Sequence, residues 1–404
     1  MEKGTGVLIW LTMVFFSITI PKHTFSGTIE LVESYPVETS LDSPILRDTH
    51  DVWRDMIQKA KSSIDIETFY FSEDPQRRDR LDLVIDELRS AVSRGVKLRT
   101  LSDTGFDETY PSIRTRLDAL PHAETRTLDV RTLWGGVLHA KYFIVDSHAV
   151  FVGSQNWDWR ALEHIRELGV RIVDTHMARA FGAIFRYDWA VAGNNEAPAD
   201  SVYAGPFMLE TMQGDTVSVR LAVSPHDARP AGIPWDEPMI NSLLDAATKT
   251  IRIHLLTYSP VNRDGSRYGH FDTAIRRAAA RGVDVRIIVS DWSKRSSILP
   301  HIQSLSVLPG IHVRFTVIPE WSGGFIPYSR VEHPKYLVVD GTSCWIGTSN
   351  WNPGSFYTSR NIGLIIQGKT LAEQMAEFFD LSWNSRYAEP VDPCGEYTAP
   401  RRTD

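Results

Sequence analysis

The chain contains one string of residues twice, and this internal repeat constrains its fold more than any other feature. The first copy reads HAKYFIVDSHAVFVGSQNW and the second reads HPKYLVVDGTSCWIGTSNW. In both, a histidine is followed by a lysine, an aspartate, a glycine, a hydroxyl residue and an asparagine at the same spacing. The two histidines, His139 and His333, lie 194 residues apart, and the other positions keep this offset. Two extended matches at one offset indicate a duplicated chain rather than chance.

The duplication extends to the segments that precede the motif. Residues 62–72 and 249–260 are short apolar, β-branched and aromatic runs, which predict buried strands. Each is followed by a helical pattern that ends in glycine, and then by a second strand, at 96–103 and 283–291. Strand, helix, strand is a βαβ unit with parallel pairing. We therefore predict an α/β fold of two pseudo-symmetric βαβ-containing repeats that share one active-site cleft.

Composition suggests where the repeats begin and end. We predict a first repeat at 28–195 and a second at 215–390, separated by a surface connection at 196–214 that is rich in turn-forming residues. Residues 391–404 contain several prolines and are expected to form a loosely held tail.

The N-terminus differs from the rest of the chain. An almost unbroken apolar run, Val7 to Ile20, follows Lys3 and precedes the small residues Ser26 and Gly27. The run is shorter than the roughly 20 residues that span a bilayer, so a signal peptide at 1–26 is the better prediction. The alternative is an uncleaved signal anchor. In both cases the protein is expected to be secreted, in the envelope or periplasm, or in a lumen, with an N-terminal membrane anchor in the second case.

The motif spacing has a chemical interpretation. Residues two apart on a strand share a face, so each histidine points the same way as its lysine. Packing about a pseudo-twofold axis would bring both pairs to one cleft, with neutral donors at its rim. The predicted pairs are His139 with Lys141 and His333 with Lys335, and the predicted rim residues are Ser154, Asn156, Thr348 and Asn350.

Such a cleft suits a phosphodiester. One imidazole can attack phosphorus while the other protonates the leaving oxygen and then activates water. Lysine and asparagine side chains would bind the non-bridging oxygens, where the transition state carries its charge. The lysines supply the positive charge that a metal would otherwise bring, so neither a metal nor another cofactor is expected.

The remaining motif residues and the overall charge receive plainer interpretations. Asp146 and Asp340 are expected to hold turns at strand ends, because five residues of strand place each ~17 Å from its motif lysine. Cys344 is interpreted as a small core residue. Trp157 and Trp351 either wall the cleft or belong to the core. A formal net charge of -7 excludes a broadly basic coat for nucleic acid, so positive charge must be local.

The paired motif resembles that of the phospholipase D superfamily, and the resemblance covers residues 40–390. The strings GVLHAKYFIVD, GSQNWDWRALEHIRELGV and IPYSRVEHPKY are similar to the branch with lysosomal 5′ exonucleases, poxvirus envelope phospholipase and nicking-joining nuclease. The resemblance implies a metal-independent, two-step reaction with His139 as nucleophile and His333 as general acid. It also implies that an acidic residue supports a histidine, which Glu167 satisfies, whereas Asn361 at the matching position of the second copy does not.

Three hypotheses follow for the function. The first is a phosphodiesterase that forms a phosphohistidine and cleaves single-stranded nucleic acid in the manner of a 5′ exonuclease. The second is a phospholipase D or phosphatidyltransferase that acts on phospholipid headgroups with the same residues. The third, a non-catalytic envelope protein, is weaker because both copies keep histidine, lysine and asparagine. The expected partner is the phosphodiester substrate, and the sequence indicates no obligate protein partner.

Overall fold

The computed structural model describes residues 27–74, 76–199 and 201–403. The predicted signal peptide at 1–26 lies outside these ranges. Among the described helices, none combines the length and the apolar character that crossing a membrane requires.

Within residues 27–74 and 76–199, the first repeat contains ten strands and seven helices. Its strands are β1 (Thr28–Ser34), β2 (Arg47–Asp48), β3 (Ser63–Glu67), β4 (Phe71–Ser72), β5 (Lys97–Asp103), β6 (Ala123–Leu128), β7 (Tyr142–Val145), β8 (Ala149–Gly153), β9 (Trp157–Asp158) and β10 (Glu167–Val173). Its helices are α1 (Thr49–Gln58), α2 (Arg80–Ser93), α3 (Thr104–Thr109), α4 (Ser112–Asp118), α5 (Val130–Trp134), α6 (Trp159–Glu163) and α7 (Thr175–Ala192).

The second half of the chain follows the same plan. Its strands are β11 (Phe207–Thr211), β12 (Thr216–Ser224), β13 (Thr250–Leu255), β14 (Asp284–Ser290), β15 (Ile311–Thr316), β16 (Tyr336–Val339), β17 (Ser343–Gly347), β18 (Asn361–Gln367) and β19 (Ala388–Pro390). Its helices are α8 (Asp236–Ala246), α9 (His270–Ala280), α10 (Leu299–Ser306), α11 (Pro353–Tyr357) and α12 (Lys369–Trp383), with a 3-10 turn at Asp291–Lys294.

Strand pairing shows the duplication directly. In the first repeat the strands run β6, β5, β3, β7, β8, β10, β1, and in the second they run β15, β14, β13, β16, β17, β18, β12. The predicted βαβ units are present, because β3 pairs in parallel with β5 and β13 with β14. Gly95 and Gly282 follow the connecting helices α2 and α9 with φ of 92° and 88°. These left-handed conformations favour glycine at a helix C-terminus. The predicted α/β class with two repeats is confirmed.

The segment at 196–214 is not wholly an irregular connection, as its composition had suggested. It contains β11, which pairs antiparallel with β12 and, over two residue pairs, in parallel with β1. This short strand joins both halves into one sheet, which has 17 strands in the part of the chain that the structure describes. Only three of its five residues are buried, and a turn follows it at once, so its sequence pattern was weak.

The predicted tail is also more ordered than expected. Val391 is buried, and the ring of Tyr397 packs against Phe315 with centroids 5.1 Å apart. Further along, the carbonyl oxygen of Arg402 accepts a hydrogen bond of 3.0 Å from the backbone N–H of Tyr328. The segment at 391–403 therefore lies along the second repeat.

Burial divides the interior into three large clusters. One cluster lies within the first repeat around Trp53, and another within the second repeat around Trp351. The third contains side chains of α7 and α12 together with strands of both repeats. Because this central cluster is shared, the two halves pack as one body around the segments that carry the motif. Cys344 lies in the central cluster, and both it and the exposed Cys394 are free thiols.

Candidate active site

Each motif histidine is anchored to the opposite repeat through its backbone. The N–H of His139 donates to the carbonyl of Arg360 at 2.8 Å, and the N–H of His333 donates to the carbonyl of Arg166 at 2.9 Å. Arg360 and Arg166 directly precede β18 and β10. Short parallel bridges thus cross between the repeats twice and bring the two histidines to one place.

A neutral amide supports His139. The Nδ1 atom of His139 lies 2.9 Å from Oδ1 of Asn361, which also accepts from the hydroxyl of Thr348 at 2.8 Å. The Asn361 Nδ2 donates to the carbonyl of Ser355 at 2.9 Å, so its oxygen must face the ring. His139 Nδ1 therefore carries a proton, and Nε2 of the neutral ring keeps a free lone pair.

A carboxylate supports His333. The Nδ1 atom of His333 lies 2.8 Å from Oε2 of Glu167, and the hydroxyl of Ser154 donates to the same oxygen. Because a carboxylate on Nδ1 favours the imidazolium, this ring is the better suited of the two to hold a proton on Nε2. Glu167 and Asn361 thus occupy matching positions, but each serves the histidine of the other repeat.

The hydroxyl residues do not form the cleft rim that we expected. Ser154 and Thr348 are almost fully buried and lie behind the histidines, where they hold Glu167 and Asn361. A hydroxyl beside a buried acceptor satisfies it, which explains why this position tolerates serine or threonine. The position that we predicted for these two residues, at the rim of the cleft, was wrong, although both belong to the site.

Asn156 and Asn350 remain close to where they were predicted. The Nδ2 of Asn156 donates to the hydroxyl of Tyr70 at 3.4 Å. The Oδ1 atoms of both asparagines are buried and accept no hydrogen bond from any residue that the structure describes. These unpaired oxygens leave both asparagines able to contact a ligand inside the polar cleft.

Both lysines are fixed by their own histidine's backbone. The Nζ of Lys141 donates to the carbonyl of His139 at 2.6 Å, and the Nζ of Lys335 donates to the carbonyl of His333. Their side chains are almost fully buried, with 2% and 1% of the residue exposed. Two ammonium groups are thus held beside two imidazoles, with Glu167 as the carboxylate that contacts an imidazole.

This arrangement shifts the pKa values of all these groups. Burial lowers the pKa of both His139 and His333 well below the usual value, and the charges of Lys141 and Lys335 lower it further. Burial also lowers the pKa of Lys141 well below its usual value and that of Lys335 to about 7. Burial raises the pKa of Glu167 to about 8, although the charge of Lys335 opposes this. Near neutral pH, Glu167 and Nδ1 of His333 therefore share one proton, and Nε2 of His333 carries another whichever of the two groups holds the shared proton. A bound anion would offset these unfavourable positive charges and favour protonation of the bases.

Asp146 and Asp340 lie outside the cleft, in the turns after β7 and β16. Asp146 accepts hydrogen bonds from the backbone N–H groups of residues 61–63, and Asp340 accepts from those of residues 248–250. Both have positive φ, 54° and 51°, which aspartate tolerates better than most residues. Each therefore ties the turn to the strand that begins beside it, β3 or β13.

An aromatic wall beside His139 was missed from the sequence. The ring of Phe69 lies 5.1 Å from the His139 ring and 5.1 Å from the Nζ of Lys141. Phe106 packs on Phe69 at 4.0 Å, and Tyr70 stacks on Phe106 at 5.6 Å. The aromatic run at the end of the first strand, residues 69–71, was the signal that could have indicated this wall. Trp157 and Trp351, by contrast, are buried core residues, which excludes the alternative that they wall the cleft.

Two buried arginines link the repeats beneath the histidines. Arg360 forms an ion pair with Asp188 at 2.7 Å, beside Glu67, while Arg166 lies 3.6 Å from Glu332, which pairs with His254 at 2.8 Å. Glu67 and His254 therefore belong to these buried networks. The two arginines are separated by the same 194 residues as the motif positions. Extending the comparison of the two repeats beyond the motif could therefore have found them.

No group of three or more histidine, cysteine, aspartate or glutamate side chains within residues 27–74, 76–199 and 201–403 has the arrangement of a metal site.

Fold and site together define a class: duplicated α/β proteins with one composite site in which each half supplies a histidine and a lysine. A family model described as "Cardiolipin synthase, PLD-like domain" matches residues 53–189 and 240–383. The chain belongs to the phospholipase D superfamily. The predicted resemblance is thereby confirmed, and so is the prediction of a phosphodiesterase of this superfamily.

Several known proteins are similar over most of the chain. Phospholipase D Z of Dictyostelium discoideum is 31% identical and covers 93% of both chains. The 5′-3′ exonuclease PLD3 of Xenopus laevis is 32% identical, over 89% of this chain and 80% of that protein. The virion nicking-joining enzyme of vaccinia virus is 27% identical, over 89% and 88%. Among solved structures, phosphatidylserine synthase of Haemophilus influenzae shares the fold, with a TM-score of 0.58, 14% identity and 85% coverage of both chains.

Proposed function

We propose that the protein cleaves phosphodiesters in single-stranded nucleic acid, by a metal-independent reaction with a phosphohistidine intermediate. The observation that carries this proposal is the buried cluster of His139, Lys141, His333 and Lys335, in which Glu167 is the carboxylate paired with an imidazole. Such a cluster is electrostatically strained until an anion enters. A phosphodiester brings one negative charge to the position where the two imidazole side chains and the two lysine side chains converge.

The two histidines are proposed to divide the reaction. Nε2 of His139 attacks phosphorus and forms a P–N bond, while the P–O bond to the leaving group breaks. Nε2–H of His333 donates its proton to the leaving oxygen. In the second step His333 takes a proton from water, the water oxygen attacks phosphorus, and the P–N bond breaks to restore His139. The supports observed at Nδ1 favour this order, because Asn361 leaves His139 neutral and Glu167 favours a protonated His333.

Stabilisation of the transition state is assigned to the lysines and asparagines. Lys141 and Lys335 would face the non-bridging oxygens, and the amides of Asn156 and Asn350 would add neutral donors. Because both ammonium groups are already held by backbone carbonyls, they need little reorganisation when the charge develops. Fixed cations supply the electrostatic role that a divalent ion plays in other phosphoryl-transfer sites.

Nucleic acid is the first choice of substrate. The aromatic wall of Phe69, Tyr70 and Phe106 beside His139 offers surfaces on which a base can stack. Relatives named as a 5′-3′ exonuclease and a nicking-joining enzyme cover nearly the whole chain. The second candidate is a phospholipase D acting on lipid headgroups, which the 31% identity to phospholipase D Z favours. We also propose that the apolar segment at 7–20 directs export of the protein from the cytosol.

A side-by-side assay tests the substrate. Protein treated with EDTA is offered 5′-labelled single-stranded DNA and phosphatidylcholine vesicles, with His139→Ala as the blank. We expect release of nucleotides from the DNA, no change with chelator, and no turnover by the variant. Turnover of phosphatidylcholine alone would establish the second candidate instead. Loss of activity with EDTA and its recovery with zinc or magnesium would overturn the metal-independent mechanism.

A further inference from the structure

A groove of about 740 Å³ opens between the two repeats, outside the catalytic cluster. Tyr110 and Trp159 line it from the first repeat, and Trp321, Phe325 and Tyr328 line it from the second. None of these five aromatic side chains is buried, and Tyr328 is 41% exposed. Aromatic faces open to solvent in one concave surface indicate a binding site rather than a core.

The groove is connected to the catalytic cluster through a short chain of contacts. Arg160, which lines the groove, pairs with the buried Asp158 at 2.7 Å. Asp158 accepts a hydrogen bond of 2.8 Å from the hydroxyl of Tyr70, and that hydroxyl accepts from Asn156. Tyr70 also lies 5.5 Å from Tyr110 in the groove. One side chain, that of Tyr70, therefore separates the groove from Asn156, which is proposed to contact the phosphate.

The segment at 399–403 adds positive charge to the groove. The guanidinium of Arg401 lies 4.1 Å from the ring of Phe325, and that of Arg402 lies 5.5 Å from the ring of Trp292. Thr403 lines the groove itself. The tail thus places two arginines at the rim, over rings that belong to the second repeat.

The backbone at this rim is strained. Tyr328 has φ of 57°, a left-handed conformation that bulky residues rarely adopt. Its N–H donates to the carbonyl of Arg402 at 3.0 Å, so the tail helps to hold this conformation. Strain of this kind persists where surrounding contacts enforce it, and it commonly marks ligand-binding positions.

The charge of the groove suits a polyanion. The two carboxylates that line the groove, Glu73 and Asp74, belong to the first repeat and are paired with Arg116 and Arg77. Arg295, which neighbours the tail, donates from Nε to the backbone carbonyl of Trp292 at 3.0 Å. Burial lowers the pKa of Arg295, and the nearby charge of Arg402 lowers it further, which indicates that these positive charges are crowded together.

We propose that this groove binds the nucleotides adjoining the scissile bond, with bases stacked on Tyr328 and its aromatic neighbours and phosphates contacted by Arg401 and Arg402. The inference rests on the proposed nuclease function and names the part of the substrate that the groove takes. Alternating rings and cations match the alternation of bases and phosphates along a single strand. Acyl chains would gain nothing from the arginines. Local charge of this kind also explains how a chain of net charge -7 could hold a nucleic acid.

The test compares a substrate that reaches the groove with one that does not. The first is an oligothymidylate of about ten nucleotides, a length within the usual range of single-strand sites. The second is bis(p-nitrophenyl) phosphate, which carries no flanking nucleotides. For the double variant R401A/R402A we expect kcat/KM on the oligonucleotide to fall about tenfold more than on the small ester. Loss of two phosphate contacts should also lower the salt dependence, log kcat/KM against log salt, by about 1.4.

Matched variants separate the groove from general effects of charge and folding. R179A/R263A also removes two exposed arginines, neither of which lines the groove, and should leave both activities unchanged. Tyr328→Ala should raise KM for the oligonucleotide at least about fivefold, since stacking on one ring is lost. If R401A/R402A behaves like R179A/R263A, or lowers both activities equally, the inference is wrong. It is equally wrong if only hydrolysis of phosphatidylcholine vesicles depends on the two arginines.

Binding distinguishes failure of this inference from failure of the proposed function. Fluorescence anisotropy of the labelled oligonucleotide with His333→Ala reports affinity without turnover. Tight binding that depends on Arg401 and Arg402, with no cleavage by the wild-type protein, would support the assignment of the groove and refute the proposed nuclease function. Cleavage by the wild-type protein with binding indifferent to the two arginines would leave the nuclease intact and refute the groove.

Discussion

The two halves of the active site are alike in geometry and unlike in charge. In both, a lysine is held by the carbonyl of its motif histidine, and a hydroxyl residue holds the side chain behind the other repeat's ring. The difference lies in that side chain, which is the carboxylate Glu167 behind His333 and the amide Asn361 behind His139. A duplicated scaffold has thus kept two equivalent positions and made one neutral and one acidic.

This difference matters for the proposed reaction because its first step needs opposite protonation states at the two histidines. A nucleophile must be neutral at Nε2, whereas a general acid must carry a proton there. Two identical half-sites would compete for the same proton. A single acidic support breaks that symmetry at the cost of one substitution between the repeats.

The largest expected effects come from the histidines themselves. His139→Ala should abolish both turnover and the covalent intermediate. His333→Ala should lower kcat by about 10²–10⁴ on a nucleotide substrate, which is the usual worth of general acid–base catalysis. With a p-nitrophenyl ester, whose leaving group needs no proton, His333→Ala should still form the adduct, and trapping by acid quench would detect a phosphorylated His139.

The reverse pattern would invert the comparison between the half-sites. An adduct that forms in His139→Ala and not in His333→Ala would make His333 the nucleophile. Full activity of His333→Ala on nucleotides would show that the reaction does not need both histidines in one site.

A smaller effect is expected from making the two supports alike. In Glu167→Gln both histidines would face an amide, and His333 would lose the charge that favours its imidazolium. Its pKa would fall, so the alkaline limb of the kcat–pH profile should move to lower pH, with kcat reduced about tenfold or more at neutral pH. Rescue by Glu167→Asp, without rescue by Gln, would show that the charge and not the shape matters. An unchanged profile would show that the carboxylate does not act through His333.

The lysines predict a moderate dependence of anion binding on pH. Because burial lowers the pKa of Lys335 to about 7, a bound anion should draw a proton onto the site. Sulfate, whose own charge is constant over this range, should therefore bind up to about tenfold tighter for each unit by which the pH is lowered towards about 7. The gain should level off below about 7, because Lys335 is already protonated there. Calorimetry or the rise in Tm with sulfate measures this, and Lys335→Met should flatten the dependence.

The exposed Lys369 offers a control of equal charge on helix α12, and Lys369→Met should leave sulfate binding unaltered. Sulfate affinity that does not vary with pH in the wild-type protein would contradict the titration of Lys335.

The smallest effect on activity is expected where the two halves do not differ. Asp146→Asn and Asp340→Asn each replace an acceptor of three backbone N–H groups, so each should cost about 1–3 kcal/mol of stability. Both turns lie away from the cleft, and kcat should stay within about threefold of the wild type. Thermal unfolding and kcat measured together check this. A loss of activity with stability unchanged would place either aspartate in the reaction.

Much of this molecule could be predicted from its sequence because the signal was local and duplicated. Alternation within each strand aligned His139 with Lys141, and the repetition of the motif indicated the superfamily. Other features escaped. Strand β11 is short and half-buried, and Ser154 and Thr348 lie behind the histidines because their partners come from strands whose position depends on packing.

The aromatic groove and the course of the tail escaped for the same reason. Tyr110 and Tyr328 are far apart in the chain, and no periodicity relates them. Only the meeting of the two repeats places them in one groove, and only the tertiary contacts of Arg402 bring the tail to its rim.

Sequence alone therefore specifies the duplication, the βαβ units, the superfamily and the residues to which we assign the chemistry, since each of these depends on local spacing. It does not specify which histidine receives Glu167. That pairing is decided by two bridges that cross between the repeats at Arg166 and Arg360, so that each half supplies the support for the other's base. Contacts between segments remote in the chain depend on how the two repeats pack, and it is this packing that makes two equal half-sites into one asymmetric active site.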